Sequence, residues 1–139
     1  MLTQKSAGVV IFRKEQDNID YLVLHYEVGH WDFVKGKIEY GENEKQTIIR
    51  EAEEETKIKD LEFINGFNKS IEYYFKWEGK TVFKTVNFLL AETKTKNIIL
   101  SHEHVDYRWL NYEQALQQLT YDNAKQVLKK AKTALNSGF

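Results

Sequence analysis

At 139 residues, 42% of them hydrophobic and 29% charged, the chain has the size and composition of one soluble globular domain with a real core, which excludes a disordered or fibrous polymer. Its 20 basic and 21 acidic residues nearly cancel, so there is no electrostatic case for binding a nucleic acid polymer or an anionic membrane. With no cysteine there is no disulfide framework and no thiolate site, and with no apolar span or secretory signal in MLTQKSAGVVIF the expected compartment is the cytoplasm.

In chain order, residues 7–12 and 20–26 are short runs rich in β-branched residues and predict a strand pair joined by a polar turn over 13–18. Residues 29–35, GHWDFVK, predict an aromatic loop leading into Gly36, and a helix is expected over about 43–56 with Asn43 at its cap. Residues 61–77 and 81–90 are long strand-like segments meeting at Glu78-Gly79, a hairpin turn, and no proline interrupts either. A short strand over 107–110 and amphipathic helices over 112–119 and 123–135 complete the chain. Strands interrupted by one helix and followed by two give an α+β protein with a mixed sheet covered on both faces.

Chemistry concentrates on the first helix. Ile48 and Ala52, with Ile49 and Thr56 close by, mark its expected buried side, while Glu51, Glu54 and Glu55 share an adjacent stripe and Glu53 points to solvent. Like charges at that spacing cost a helix about 0.2–0.5 kcal/mol per pair. A hard divalent cation removes the penalty, and Mg²⁺, with Mn²⁺ as a second candidate, seeks carboxylate oxygens while keeping waters and phosphate ligands. Taken alone, however, four acids in five residues read by default as a solvated charged face.

The surrounding spacing decides between them. Gly36 is followed after five residues by Glu42, then after seven by Arg50-Glu51-Ala52-Glu53-Glu54-Glu55-Thr56-Lys57-Ile58. This order resembles the Nudix box of the Nudix hydrolases, departing from it only where Lys57 replaces the last Gly. That position favours a left-handed backbone, so Lys57 is expected to carry strain or to change how the helix ends. The resemblance implies an α/β/α sandwich and hydrolysis of a nucleoside diphosphate linked to another group. It implies that Glu51 and Glu55, with the Lys35 or Gly36 carbonyl, hold Mg²⁺. Glu54 shares a metal or accepts the proton of the attacking water, and Arg50 pairs with Glu42 to fix the loop on the helix.

The flanks resemble the asymmetric diadenosine tetraphosphate hydrolases, with His30-Trp31 and Lys35-Gly36 before the box, although Asp32-Phe33-Val34 replaces a spacer that is usually proline-rich there. Ser101-His102-Glu103-His104 followed by Tyr107-Arg108-Trp109 resembles a second segment of that family, which implies Glu103 as a further metal or water contact and leaves His104 structural. Two His and a Glu this close also suggest zinc, but no third ligand cluster supports it. By the same resemblance His30, Lys35 and Lys84 face the polyphosphate, and Tyr73 and Tyr121 stack on an adenine; Tyr74 falls on the other face of its strand, as a buried or unrelated neighbour. The expected partner is a small nucleotide cleaved to ATP and AMP. The alternatives are a Nudix pyrophosphatase acting on RNA 5′ ends or nucleoside triphosphates, and a non-catalytic nucleotide-binding module.

Overall fold

The computed structural model describes residues 2–137. Strand β1 (Leu2–Glu15) is the spine of the sheet. Its side chains alternate, Ala7, Val9 and Ile11 joining one apolar cluster and Val10 and Phe12 the other, so the strand is buried on both faces. It pairs antiparallel with β2 (Asn18–Tyr26) and β4 (Val34–Lys37), and parallel with β7 (Lys80–Glu92). The remaining strands hang on these: β3 (Trp31–Asp32) and β8 (His104–Leu110) pair with β2, and β5 (Glu62–Phe63) and β6 (Lys69–Trp77) with β7. The result is one mixed eight-stranded sheet.

Three helices cover it. Helix α1 (Glu44–Thr56) presses Ile48 and Ala52 onto the face bearing Val9, Ile11 and Leu24, while α2 (Tyr112–Gln118) and α3 (Asp122–Asn136) bury Ala115, Val127, Leu128 and Ala131 against Val10, Phe12 and Phe88 on the other. This is the expected α/β/α arrangement. Among the described residues no helix is long and apolar enough to cross a membrane.

Local chemistry explains most boundaries. Asn43 caps α1 reciprocally, its Oδ1 accepting from Gln46 N and Gln46 Oε1 from Asn43 N, a device worth about 1 kcal/mol. At the other end Lys57 adopts φ 63°, the left-handed stop that Gly would take without strain. The β6–β7 turn has positive φ at both Glu78 and Gly79, which matches the twist of the hairpin.

Three expectations need correction. Residues 29–35 are not a free loop: Trp31–Asp32 and Val34–Lys37 are strands, because β2 and β1 offer them unpaired edges. The segment 61–77 is broken at Gly66, φ 86°, into β5 and β6. Ile49 is exposed, and the polar Thr47 takes its place inside, donating its hydroxyl to Glu42 Oε1 at 2.8 Å.

Candidate active site

The segment before α1 is tied to the helix by Arg50. Its Nε donates to Glu42 Oε2 at 2.7 Å and its Nη2 to Glu42 Oε1 at 3.0 Å, a two-point grip, and Nη2 also donates to the Lys37 carbonyl at 3.1 Å. The grip, with the amide of Glu39 and the Thr47 hydroxyl, pulls the Glu42 carboxyl down to about 2 and raises Arg50 further above its ordinary value. Nη1 donates to Glu51 Oε1 at 2.7 Å and lies 3.5 Å from Glu54 Oε2. Arg50 thus touches both the loop and the carboxylate stripe.

The three stripe carboxylates differ sharply in environment. The Glu54 side chain is 58% exposed, Glu51 is half-buried, and Glu55 is 3% exposed. Glu51 lies flat on Gly36: a Cβ there would come within 2.1 Å of its Cδ, so only glycine lets strand and carboxylate meet. Burial, then contact with Glu51 and the charges of Glu103 and Glu54, raises the Glu55 carboxyl past neutrality. Its Oε1 has no hydrogen-bond partner and lies 3.3 Å from His104 Nε2, which has none either. Burial, and then the neighbourhood of the His30 ring, lowers His104 to about 4, so its imidazole is neutral.

Tyr26 joins this acidic group to a cleft. Its hydroxyl donates to the Phe33 carbonyl at 2.7 Å, and it is raised well above its ordinary value by burial and then by Glu55, Asp32, Glu51 and Glu103. One neighbour of its ring is His104, at 4.3 Å between centroids, and another is His30, stacked at 4.5 Å. The cleft, of about 680 Å³, takes Tyr26, His30, Lys35, Tyr73, Lys84 and Tyr121 among its lining. Cross-strand pairing puts Tyr73 opposite Lys84, while Tyr74 faces the other way, exposed and against Phe83 at 5.0 Å; it is not buried. Tyr121, 54% exposed, stands at the rim 5.5 Å from His30. Burial and then the charges of Lys35 and Lys37 lower Lys84 to about 8. For Lys35 burial acts downward, but Asp32, at 2.9 Å, and Tyr73 outweigh it and raise the ammonium. Burial lowers His30, against the pull of Asp32, so it offers a ring and not a charge.

The structure therefore brings His30, Lys35, Tyr73, Lys84 and Tyr121 to one cleft, and gathers Glu42, Glu51 and Glu54 around Arg50 along one side of α1 with Glu55 beside Glu51; Gly36, next to Lys35 in the chain, lies against Glu51. Glu103 is exposed; its carbonyl accepts from Glu27 N at 2.9 Å and its charge is felt by Glu55 and Tyr26. Sequence reasoning missed Tyr26 and the buried Asp32, and left His104 as structural filler. An acid set between Trp31 and Phe33 was the available signal for Asp32. Among the described residues no three acidic or histidine side chains close on one point, since Arg50 draws Glu51 and Glu54 to its own Nη1. The donor set nevertheless suits a hard divalent ion: oxygens only, two carboxyls in contact, one with a buried oxygen left unpartnered.

A lysine-and-aromatic cleft opening beside a clustered set of helix carboxylates belongs to the class of enzymes that act on phosphorylated nucleotides with a divalent metal. The comparisons narrow this. The NUDIX domain model matches residues 2–131, and the chain belongs to that family. It is 37% identical over 137 residues to the bis(5′-nucleosyl)-tetraphosphatase (asymmetrical) of Mus musculus, covering 90% of each chain, and 33% identical to the Caenorhabditis elegans protein of that name, covering 97% of this chain and 98% of the other. The crystal structure of a C. elegans Ap4A hydrolase binary complex superposes with a TM-score of 0.84 at 32% identity, covering 98% of this chain and 99% of that one.

Proposed function

We propose that the protein hydrolyses dinucleoside polyphosphates, with diadenosine tetraphosphate as the preferred substrate, asymmetrically to ATP and AMP. The observation that carries this is the cleft: the aromatic rings of His30, Tyr73 and Tyr121 supply stacking surface for a base, Lys35 and Lys84 line the same cleft, and Gly36, the residue after Lys35, lies against Glu51 of the α1 carboxylates. Likeness to proteins named asymmetrical bis(5′-nucleosyl)-tetraphosphatases supports the substrate class.

In this reading Glu51 and Glu55, with the Gly36 carbonyl and Glu103 completing the set, hold Mg²⁺. When bound, the ion neutralises charge on the phosphate oxygens and makes water a better nucleophile. The chain's own residues do the rest. Tyr73 and Tyr121 clamp an adenine, worth about 1–3 kcal/mol per base. Lys35, aimed by Asp32, and Lys84 meet the phosphates, and His30 contributes a neutral ring. Glu54, the most exposed of the stripe, accepts the proton as water oxygen bonds to phosphorus; the anhydride P–O bond on that phosphorus breaks and the nucleotide leaves. Arg50 and Glu42 touch no substrate and keep Gly36 against Glu51.

Product analysis in oxygen-18-labelled water with Mg²⁺ tests this. Diadenosine tetraphosphate is expected to give ATP and AMP in equal amounts, with the label in one of them only. Release of ADP as the sole product, or faster hydrolysis of triphosphates or 5′-triphosphate RNA, overturns it.

A further inference from the structure

His104 is the one deeply buried group of the site with no task in this reaction. Its side chain is 0% exposed, and the loop that carries it is stitched to the end of α1, Ile99 N donating to Thr56 O and Ser101 N to Glu55 O, both at 3.2 Å. The ring stands with Nδ1 3.3 Å from Ser101 Oγ and Nε2 3.3 Å from Glu55 Oε1; neither Nε2 nor Oε1 makes a hydrogen bond, so each is a buried polar atom whose nearest complement is the other. An ionised carboxylate only accepts, so the form of imidazole that complements it carries its proton on Nε2 and leaves Nδ1 to accept from the Ser101 hydroxyl.

We propose that His104 is a positioning residue for the cation site: the ionised Glu55 selects its Nε2–H tautomer, the Ser101 hydroxyl turns to donate to Nδ1, and on loading the Nε2–H holds Oε1 of Glu55 and leaves the carboxylate's other oxygen for the cation. The inference rests on the reading of Glu55 as a cation ligand. Without the donor, the buried oxygen has nothing to satisfy it, and Glu55 either turns or keeps a proton in place of the ion. The Ser-His-Glu-His segment then acts twice on the same site, once through Glu103 at the surface and once through His104 from beneath.

Two measurements on the full chain test it. Mn²⁺ affinity, read by electron paramagnetic resonance titration, is expected to fall about 10–100-fold in His104→Leu, which fills the space without a donor, while His104→Gln, which restores an N–H, stays within a few-fold of wild type. Equal affinity in folded His104→Leu and wild type, or an equal loss in the Leu and Gln variants, overturns the proposal. The nitrogen-15 spectrum of Mg²⁺-loaded wild type is expected to show His104 neutral with the proton on Nε2; a proton on Nδ1 overturns it, whatever the variants' folding. Glu55→Gln separates the two readings: normal Mn²⁺ binding by that variant removes the ligand assignment itself, whereas loss there with retention in His104→Leu removes only the role of His104.

Discussion

Glu55→Gln should make the metal-free protein more stable at neutral pH while abolishing turnover. The carboxyl is 3% exposed and its pKa is raised past neutrality, first by burial and then by Glu51. An unfolded glutamate titrates near about 4.3. Below that pH both states hold the proton and Glu55 costs nothing through ionisation. As pH rises through it the unfolded chain releases the proton while the folded one retains it, so stability falls by about 1.4 kcal/mol per unit, or about 3–4 kcal/mol by pH 7. The penalty stops growing once the folded pKa is passed. Glutamine keeps the shape without the titration, and its amide can donate to Glu51. Thermal melts in EDTA from pH 4.5 to 8 should find the variant about 10 °C above wild type at pH 7, with the gap closing on acidification. Added Mg²⁺ should raise the wild-type melting temperature, by linkage to binding, and leave the variant nearly unmoved. A variant that melts at or below wild type at pH 7, or a gap independent of pH, refutes the reasoning.

Gly36→Ala places a methyl within 2.1 Å of Glu51 Cδ, against the movable end of a side chain, so steady-state kinetics should lose at least tenfold in kcat while far-ultraviolet circular dichroism stays native. Tyr121→Ala should raise KM by about 5- to 150-fold from lost stacking with kcat little changed, whereas Tyr74→Ala, on the opposite face of the sheet, should leave both parameters alone. Lys57→Gly, at φ 63°, should raise the midpoint of urea unfolding by relieving a left-handed residue worth about 1 kcal/mol, with activity unchanged.

The sequence revealed the parts of this site that are local. The box spacing located α1, its Asn43 cap and the left-handed position at Lys57, because capping and handedness depend on neighbours a few residues away. Alternation in 70–77 separated Tyr73 from Tyr74, since a strand's two faces are fixed by its period. What stayed hidden depends on pairing across long stretches. The segment 29–35 has no strand pattern of its own and is ordered by the edges of β1 and β2. The polar Thr47 goes inside in place of Ile49 because Glu42, five residues earlier, supplies an acceptor at that spot, which apolar periodicity does not register.

The same limit bears most strongly on the three glutamates. Spacing of three and four residues puts Glu51, Glu54 and Glu55 on one stripe, and in sequence they are interchangeable. Their burial is decided by two partners outside the stripe. The loop at 99–104 binds the last carbonyls of α1 and sets His104 over Glu55, which sinks that carboxyl; Glu54, about 100° around the helix, faces Arg50 and water. A carboxylate held in a dry site is costly without a cation and well placed to bind one, while an exposed one can take a proton from water and release it to solvent. In the proposed mechanism one residue type on one helix therefore supplies both an anchor and a base, and the loop forty-odd residues downstream sets the difference in burial that separates them.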